Sequence, residues 1–150
     1  MSIQLHAAKI INIIDSEEPD AVIIAGDVYD KSVPSAEAVQ LFDDFLFRLS
    51  KRKLKVFVIS GNHDSAERIA FGGRLMSLSG VYMAPVFDGD IHPVKMQDEY
   101  GKINVYMLPF IKPVNVRGLY PDEEIFSYTD ALKAVIGKLK IDTAERNILV

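Results

Sequence analysis

Two short stretches gather the side chains that could do chemistry: Gly26, Asp27, Val28, Tyr29, Asp30 in one, and Gly61, Asn62, His63, Asp64 in the other. Each follows an apolar run, and in each a glycine is followed at once by a polar residue. Glycine at such a point permits a sharp turn and a close backbone approach. The groups delivered are carboxylate, amide oxygen and imidazole, a mixed oxygen and nitrogen set suited to Mn, Fe, Zn or Mg. The chain has no cysteine, which removes disulfides and thiolate metal sites from consideration. The two oxygens of Asp27 could bridge cations roughly 3.5 to 4 Å apart, the spacing of two-metal phosphoester hydrolysis. Asn62 would add a neutral oxygen, and His63 would be left as a proton donor. Two protein donors and water do not complete a two-metal site, so further ligands must come from elsewhere.

The surrounding pattern says what positions these groups. Ala7, Ile10, Ile11 and Ile14 recur at helical spacing, which predicts a helix from residue 3 to about 17, stopped by Glu-Glu-Pro at 17 to 19. Residues 21–25, AVIIA, read as a strand covered on both faces. Residues 35–50 place Ala38, Val39, Phe42, Phe45, Leu46 and Leu49 on one helical stripe, and KVFVIS at 55–60 repeats the buried-strand pattern. Asp64 with Glu67 reads as a capping box opening a third helix that runs to about 78. Strand, polar loop and helix in alternation imply parallel strands with crossover helices. Both polar loops then lie at the carboxyl ends of neighbouring strands, where open α/β sheets hold ligands. Beyond Gly80 short strands with Pro and Gly punctuation predict a meander or second sheet, followed by a helix over 128–140 and a last strand at 147–150. No repeat, linker or composition shift divides the chain, so residues 1–150 read as a single domain.

Composition sets the outer bounds. With 49% apolar and 25% charged residues this is an ordinary globular composition. The net charge of −4 argues against a surface that grips nucleic acid unaided, although a partner or bound cations could supply the positive charge. No apolar run approaches the roughly 20 residues of a membrane span, and the N-terminus lacks the signal-peptide pattern; a cytoplasmic setting without a membrane role is the expectation.

The pair GDVYD and GNHD, with 35 positions from Asp27 to Asn62, resembles the second and third motifs of the calcineurin-like metallophosphoesterases. More narrowly, PDAVIIAGDVYDKSVPSAEA, GNHDSAER and YMLPFIKP are similar to the SbcD-type nuclease subunits that process DNA ends, over nearly the whole chain from about residue 8. The resemblance implies a layered α/β/β/α sandwich and two-metal hydrolysis of DNA phosphodiester bonds, with two Mn2+ ions as the favoured cofactor. In that family Asp27 would bridge the metals, Asn62 would bind the second, and His63 would act at the scissile phosphate or leaving oxygen. Asp30 would pair with His63 and orient its imidazole. An SbcC-like ATPase subunit, DNA and a second copy of the chain are the implied partners. Val39, Phe42, Ile69 and Leu75 are candidate dimer contacts, set against the simpler reading of both helical stripes as core.

The family's first motif, Asp-x-His on a leading strand, is absent before Asp27, and so are its later histidine ligands. The expectation is therefore a partial fold, truncated at both ends and lacking its first strand and C-terminal part, that is inactive alone. Several residues also carry plainer readings. Asp64 is first a helix cap, and Asp30 could be an Asx-turn residue. Asp88 and Asp90 belong to a Gly-Asp hairpin, while His6 and His92 sit at solvated or edge positions. The KRKLK run at 51–55 is a solvated helix end. Two other functions stay open: another calcineurin-like phosphoesterase acting on phosphoproteins or small phosphodiesters, and a scaffold that keeps the fold without catalysis. Phosphatases of the superfamily usually continue GDxxD with Arg-Gly, where this chain has Lys31 and Ser32.

Overall fold

The computed structural model describes residues 3–65, 69–70 and 76–150. Helix α1 spans Ile3–Glu17 and leads through Pro19 into strand β1, Ala21–Ala25. Helix α2, Ala36–Ser50, returns the chain to β2, Lys55–Ile59, and β3 follows at Val81–Ala84. These strands form one parallel sheet in the order β1-β2-β3, with Ala21 opposite Lys55 and Ala25 opposite Ile59. Membership of β3 in the parallel sheet differs from the expected change of style after Gly80. Four residues look alike in either kind of sheet, and the long connection from β2 makes the parallel return possible.

One face of this sheet carries the helices. Ile11 and Ile14 of α1, Leu46 and Leu49 of α2, and Val56, Val58 and Val81 of the strands form one buried cluster. Full burial of one such side chain contributes about 1.5 to 3 kcal/mol. Ser35 caps α2 by accepting the Ala38 N–H at 3.2 Å. The Arg52 guanidinium meets both Asp15 carboxylate oxygens at 2.6 Å, tying the end of α1 to the turn after α2.

β1 departs from the double-covered strand expected. Ile23 is 46% exposed, and β2 is the only described strand that pairs with β1. Among the described residues the continuous apolar run marks a strand that pairs along one edge. Within the expected third helix, residues 69–70 and 76–77 are helical, and residues 66–68 and 71–75, with Glu67 and Leu75, lie outside the described residues. Ile69 is 1% exposed inside the first core and Phe42 packs edge-on to Tyr29 at 5.8 Å, so both are packed within the chain. Of the candidate dimer contacts, Val39 is the described one at the surface.

The second sheet has the order β4-β5-β6, comprising Val94–Asp98, Gly101–Tyr106 and Arg146–Leu149. β4 and β5 are antiparallel and β5 and β6 parallel. Helices α3, Pro113–Leu119, and α4, Tyr128–Gly137, cover this sheet through Val116, Ala131 and Val135, packed with Tyr106, Ile111 and Ile125. The sequence pattern does not predict α3, since seven residues with one buried side chain carry little periodicity. α4 opens on a capping box between Ser127 and Asp130. The Lys55 ammonium donates to the Lys95 carbonyl at 2.7 Å and the Phe110 N–H to the Ser60 carbonyl at 2.8 Å, joining the sheets. Helices, sheet, sheet and helices succeed one another as the α/β/β/α reading requires.

Candidate active site at the ends of two parallel strands

β1 and β2 stop in register, so their loops emerge side by side. Gly26 takes φ +82° and Asp27 takes φ +46°, so two consecutive residues lie in the left-handed region. For Asp27 this costs of order 1 kcal/mol or more, a cost that aspartate bears better than most residues. Close approach is what the two glycines allow. A Cβ on Gly26 would lie 2.9 Å from the Gly61 Cα, and a Cβ on Gly61 would overlap the backbone N and Oδ1 of Asp27. Gly61 itself has no left-handed φ, so glycine there answers a steric need rather than a conformational one.

Asp64 holds the loops together. Its Oδ2 accepts the N–H of Gly61 at 2.8 Å and of Val28 at 3.1 Å, and its Oδ1 accepts the N–H of Tyr29 at 2.8 Å. Asp64 thus clamps loops 35 and 36 positions apart, while the capping box expected of it with Glu67 lies outside the described residues. These are charge-assisted bonds, about twice as strong as neutral ones.

With the loops fixed, Asp27 and His63 meet. The His63 N–H donates to Asp27 Oδ1 at 3.2 Å, and the imidazole Nδ1 lies 3.9 Å from Asp27 Oδ2. Both side chains are about half exposed, at 50% for Asp27 and 52% for His63. Asn62 joins Asp27 in lining a cavity of about 360 Å3. The carboxylate found against His63 among the described residues is that of Asp27, and Asp30 lines a larger apolar cavity of about 700 Å3 between α1, β1 and α2. That larger cavity holds none of Asp27, Asn62 and His63, so volume does not mark the chemistry here. His6 borders it too, while His92 pairs with Asp90 at 3.6 Å in an exposed loop where Gly89 takes φ +112°.

The donor types of Asp27 and Asn62 fit a hard divalent cation, and their number does not fill its coordination sphere. Among the described residues no three His, Asp or Glu side chains cluster to hold a metal. Two residues of the smaller cavity escape a reading of the sequence as site residues: Phe110 and Tyr128, whose rings lie 6.0 Å apart across from Asp27 and Asn62. Phe110 belongs to the Leu-Pro-Phe stretch within YMLPFIKP, and the Ser127 cap could have placed Tyr128 at a helix start.

Comparison with known proteins shows the family. Residues 6–143 match the calcineurin-like phosphoesterase family. The chain is 30% identical over 140 residues to the SbcD subunit of the nuclease SbcCD from Staphylococcus epidermidis, and 30% identical over 145 residues to its counterpart from Staphylococcus saprophyticus. These matches cover 91% and 95% of this chain, and 36% and 38% of the relatives. The chain thus spans little more than a third of the length of those relatives. Among the described residues no helix is long and apolar enough to cross a membrane.

Proposed function

The chain belongs to the calcineurin-like phosphoesterase family, and on that premise we propose that it carries part of the metal-dependent phosphodiesterase site of an SbcD-type DNA nuclease. The observation that supports this best is the meeting of Asp27 and His63, with Nδ1 3.9 Å from Oδ2, beside Asn62 at the ends of adjacent parallel strands. Asp27 and Asn62 would hold divalent cations, for which Mn2+ is the first candidate. Once bound, such ions lower the pKa of water and neutralise charge developing on phosphate. The chain's own residues do the rest. Asp27 fixes the His63 main chain and faces its Nδ1, leaving the imidazole open to solvent where it can give a proton to a departing oxygen. In this reading Asp27 takes the orienting part that family resemblance assigns to Asp30. Asp64 keeps both loops in place and touches no substrate.

The relatives are nuclease subunits, which supports nucleic acid as substrate and a complex as setting. We extend this to DNA ends, an SbcC-like ATPase partner and a pairing of two copies in the cytoplasm. With two metal donors the chain alone should bind Mn2+ weakly and turn over little substrate. A scaffold that keeps the fold without catalysis is favoured by one observation only, the lack of a larger ligand cluster among the described residues.

Titration calorimetry with Mn2+, combined with hydrolysis of bis(4-nitrophenyl) phosphate and of a DNA end, tests the proposal. Weak Mn2+ binding that disappears in Asp27→Asn and Asn62→Ala is expected, with cleavage near background. Binding indifferent to both substitutions would remove the site. Strong Mn2+-dependent cleavage by the pure chain would overturn its incompleteness.

A further inference from the structure

Of the aromatic pairs among the described residues, Phe110 with Tyr128 is the one in which both rings are exposed, 38% and 53%. In each of the others at least one ring is buried in the core: Tyr29 beside Phe42, Phe57 beneath Tyr82, and Phe87 beside Tyr120. The exposed rings are inclined at 36° with centroids 6.0 Å apart, so neither covers the other. They share the cavity of Asp27 and Asn62, with Leu132 and Ile111 as further apolar wall.

Position is enforced from both sides. The Phe110 N–H bond to the Ser60 carbonyl, at 2.8 Å, anchors that ring one residue before Gly61. Tyr128 is the first residue of α4, held by the Ser127 and Asp130 capping box. The cavity thus combines polar residues, able to hold a cation and through it a phosphate, with an aromatic pair. Among the described residues no Lys or Arg lines it, so its described walls do not track a phosphate backbone by charge. A ligand matching both features carries a phosphate and a flat ring. About 360 Å3 admits one such unit and not a duplex, whose bases already have their faces stacked.

We propose that Phe110 and Tyr128 form a stacking platform for a single unpaired nucleobase whose phosphate lies toward Asp27 and Asn62. This rests on the phosphodiesterase reading above for the placement of the phosphate, and it makes the site selective for frayed or single-stranded ends. Tyr128 is a specificity residue that touches the base, and Phe110 sets the far side of the slot.

The test uses the whole chain, Mn2+ and a five-nucleotide single strand with 2-aminopurine at its centre, whose fluorescence falls when the base stacks. Quenching by the wild type is expected, with affinity falling about tenfold in Tyr128→Ala, the usual scale for one lost base contact. Tyr128→Phe keeps the ring and should retain quenching. An otherwise identical strand with an abasic centre should bind weakly and equally to wild type and Tyr128→Ala. Absence of quenching by the wild type, unchanged quenching in Tyr128→Ala, or wild-type affinity for the abasic strand as high as for the 2-aminopurine strand overturns the platform. Asp27→Asn reports separately: quenching that survives there, without Mn2+ dependence, would keep the platform and sink the phosphodiesterase reading.

Discussion

The loop after β1 presents its carboxylate from a left-handed backbone into solvent, whereas the loop after β2 turns its own carboxylate inward onto three main-chain N–H groups. Asp27 and Asp64 both follow a strand-ending glycine by a few residues, yet one is free to meet a ligand and the other is committed to the scaffold. The difference lies in what surrounds each group. Among the described residues Asp27 accepts one hydrogen bond, from a neighbour that is itself half exposed. Asp64 accepts three, two of them from the opposite loop. A binding site needs both kinds: a group left unsatisfied enough to bind, and another that keeps it there.

The largest effect should come from Asp64→Ala. Three main-chain donors would lose a charged acceptor, and we expect a loss of about 3 kcal/mol in urea unfolding, together with loss of Mn2+ binding. Asp64→Asn keeps one acceptor oxygen and should cost roughly half of that. A variant as stable as wild type would show that the loops do not depend on the clamp. Next is Gly61→Ala, whose Cβ would overlap the Asp27 backbone N and Oδ1. Displacing that loop should cost about 2 kcal/mol, the scale of overpacking a tight site. Unaltered stability and metal binding would mean that the strand ends need not approach so closely.

Acid separates these loop effects from the rest of the scaffold. The Asp15 and Asp98 carboxyls sit below the usual 3.8 because the Arg52 and Arg146 guanidinium groups hydrogen-bond them in the folded chain. A folded-state pKa below the unfolded one means that these pairs contribute above 3.8 and fade as pH falls through the lowered value. Both lie at the surface, so the effect is small. Unfolding midpoints should hold steady near neutrality and decline below that pH, and Arg52→Ala with Arg146→Ala should flatten the decline. An unchanged slope in that double variant would assign the acid sensitivity to other groups.

Legibility in the sequence followed the range of the interaction. Asp27, Asn62 and His63 were visible because buried strand, glycine and polar residue are contiguous, and parallel strands carry such loops to one edge. The clamp was not, since the partners of Asp64 lie 35 and 36 positions upstream and a nearer role, capping the next helix, was available in the pattern. Asp30 is expected beside His63 because its motif places it three residues after Asp27; it borders the larger cavity, and among the described residues the carboxylate against His63 is that of Asp27. Tyr128 joins the site through the tie between Phe110 and Ser60, a contact between the two sheets that no local spacing encodes.

The smallest effect on stability should come from the residue most exposed to chemistry. Asn is as tolerant as Asp of a left-handed φ, and its amide oxygen can still accept the His63 N–H, so Asp27→Asn keeps the backbone and the one bond between the loops that Asp27 makes. The ion pair it removes spans 3.9 Å between half-exposed groups and is worth little. We expect unfolding free energy within about 0.5 kcal/mol of wild type, and Mn2+ affinity reduced at least about tenfold, as befits loss of a charged ligand. Should Asp27→Asn unfold as readily as Asp64→Ala, the two carboxylates would share one structural task. The distinction between a binding loop and a holding loop would then fall.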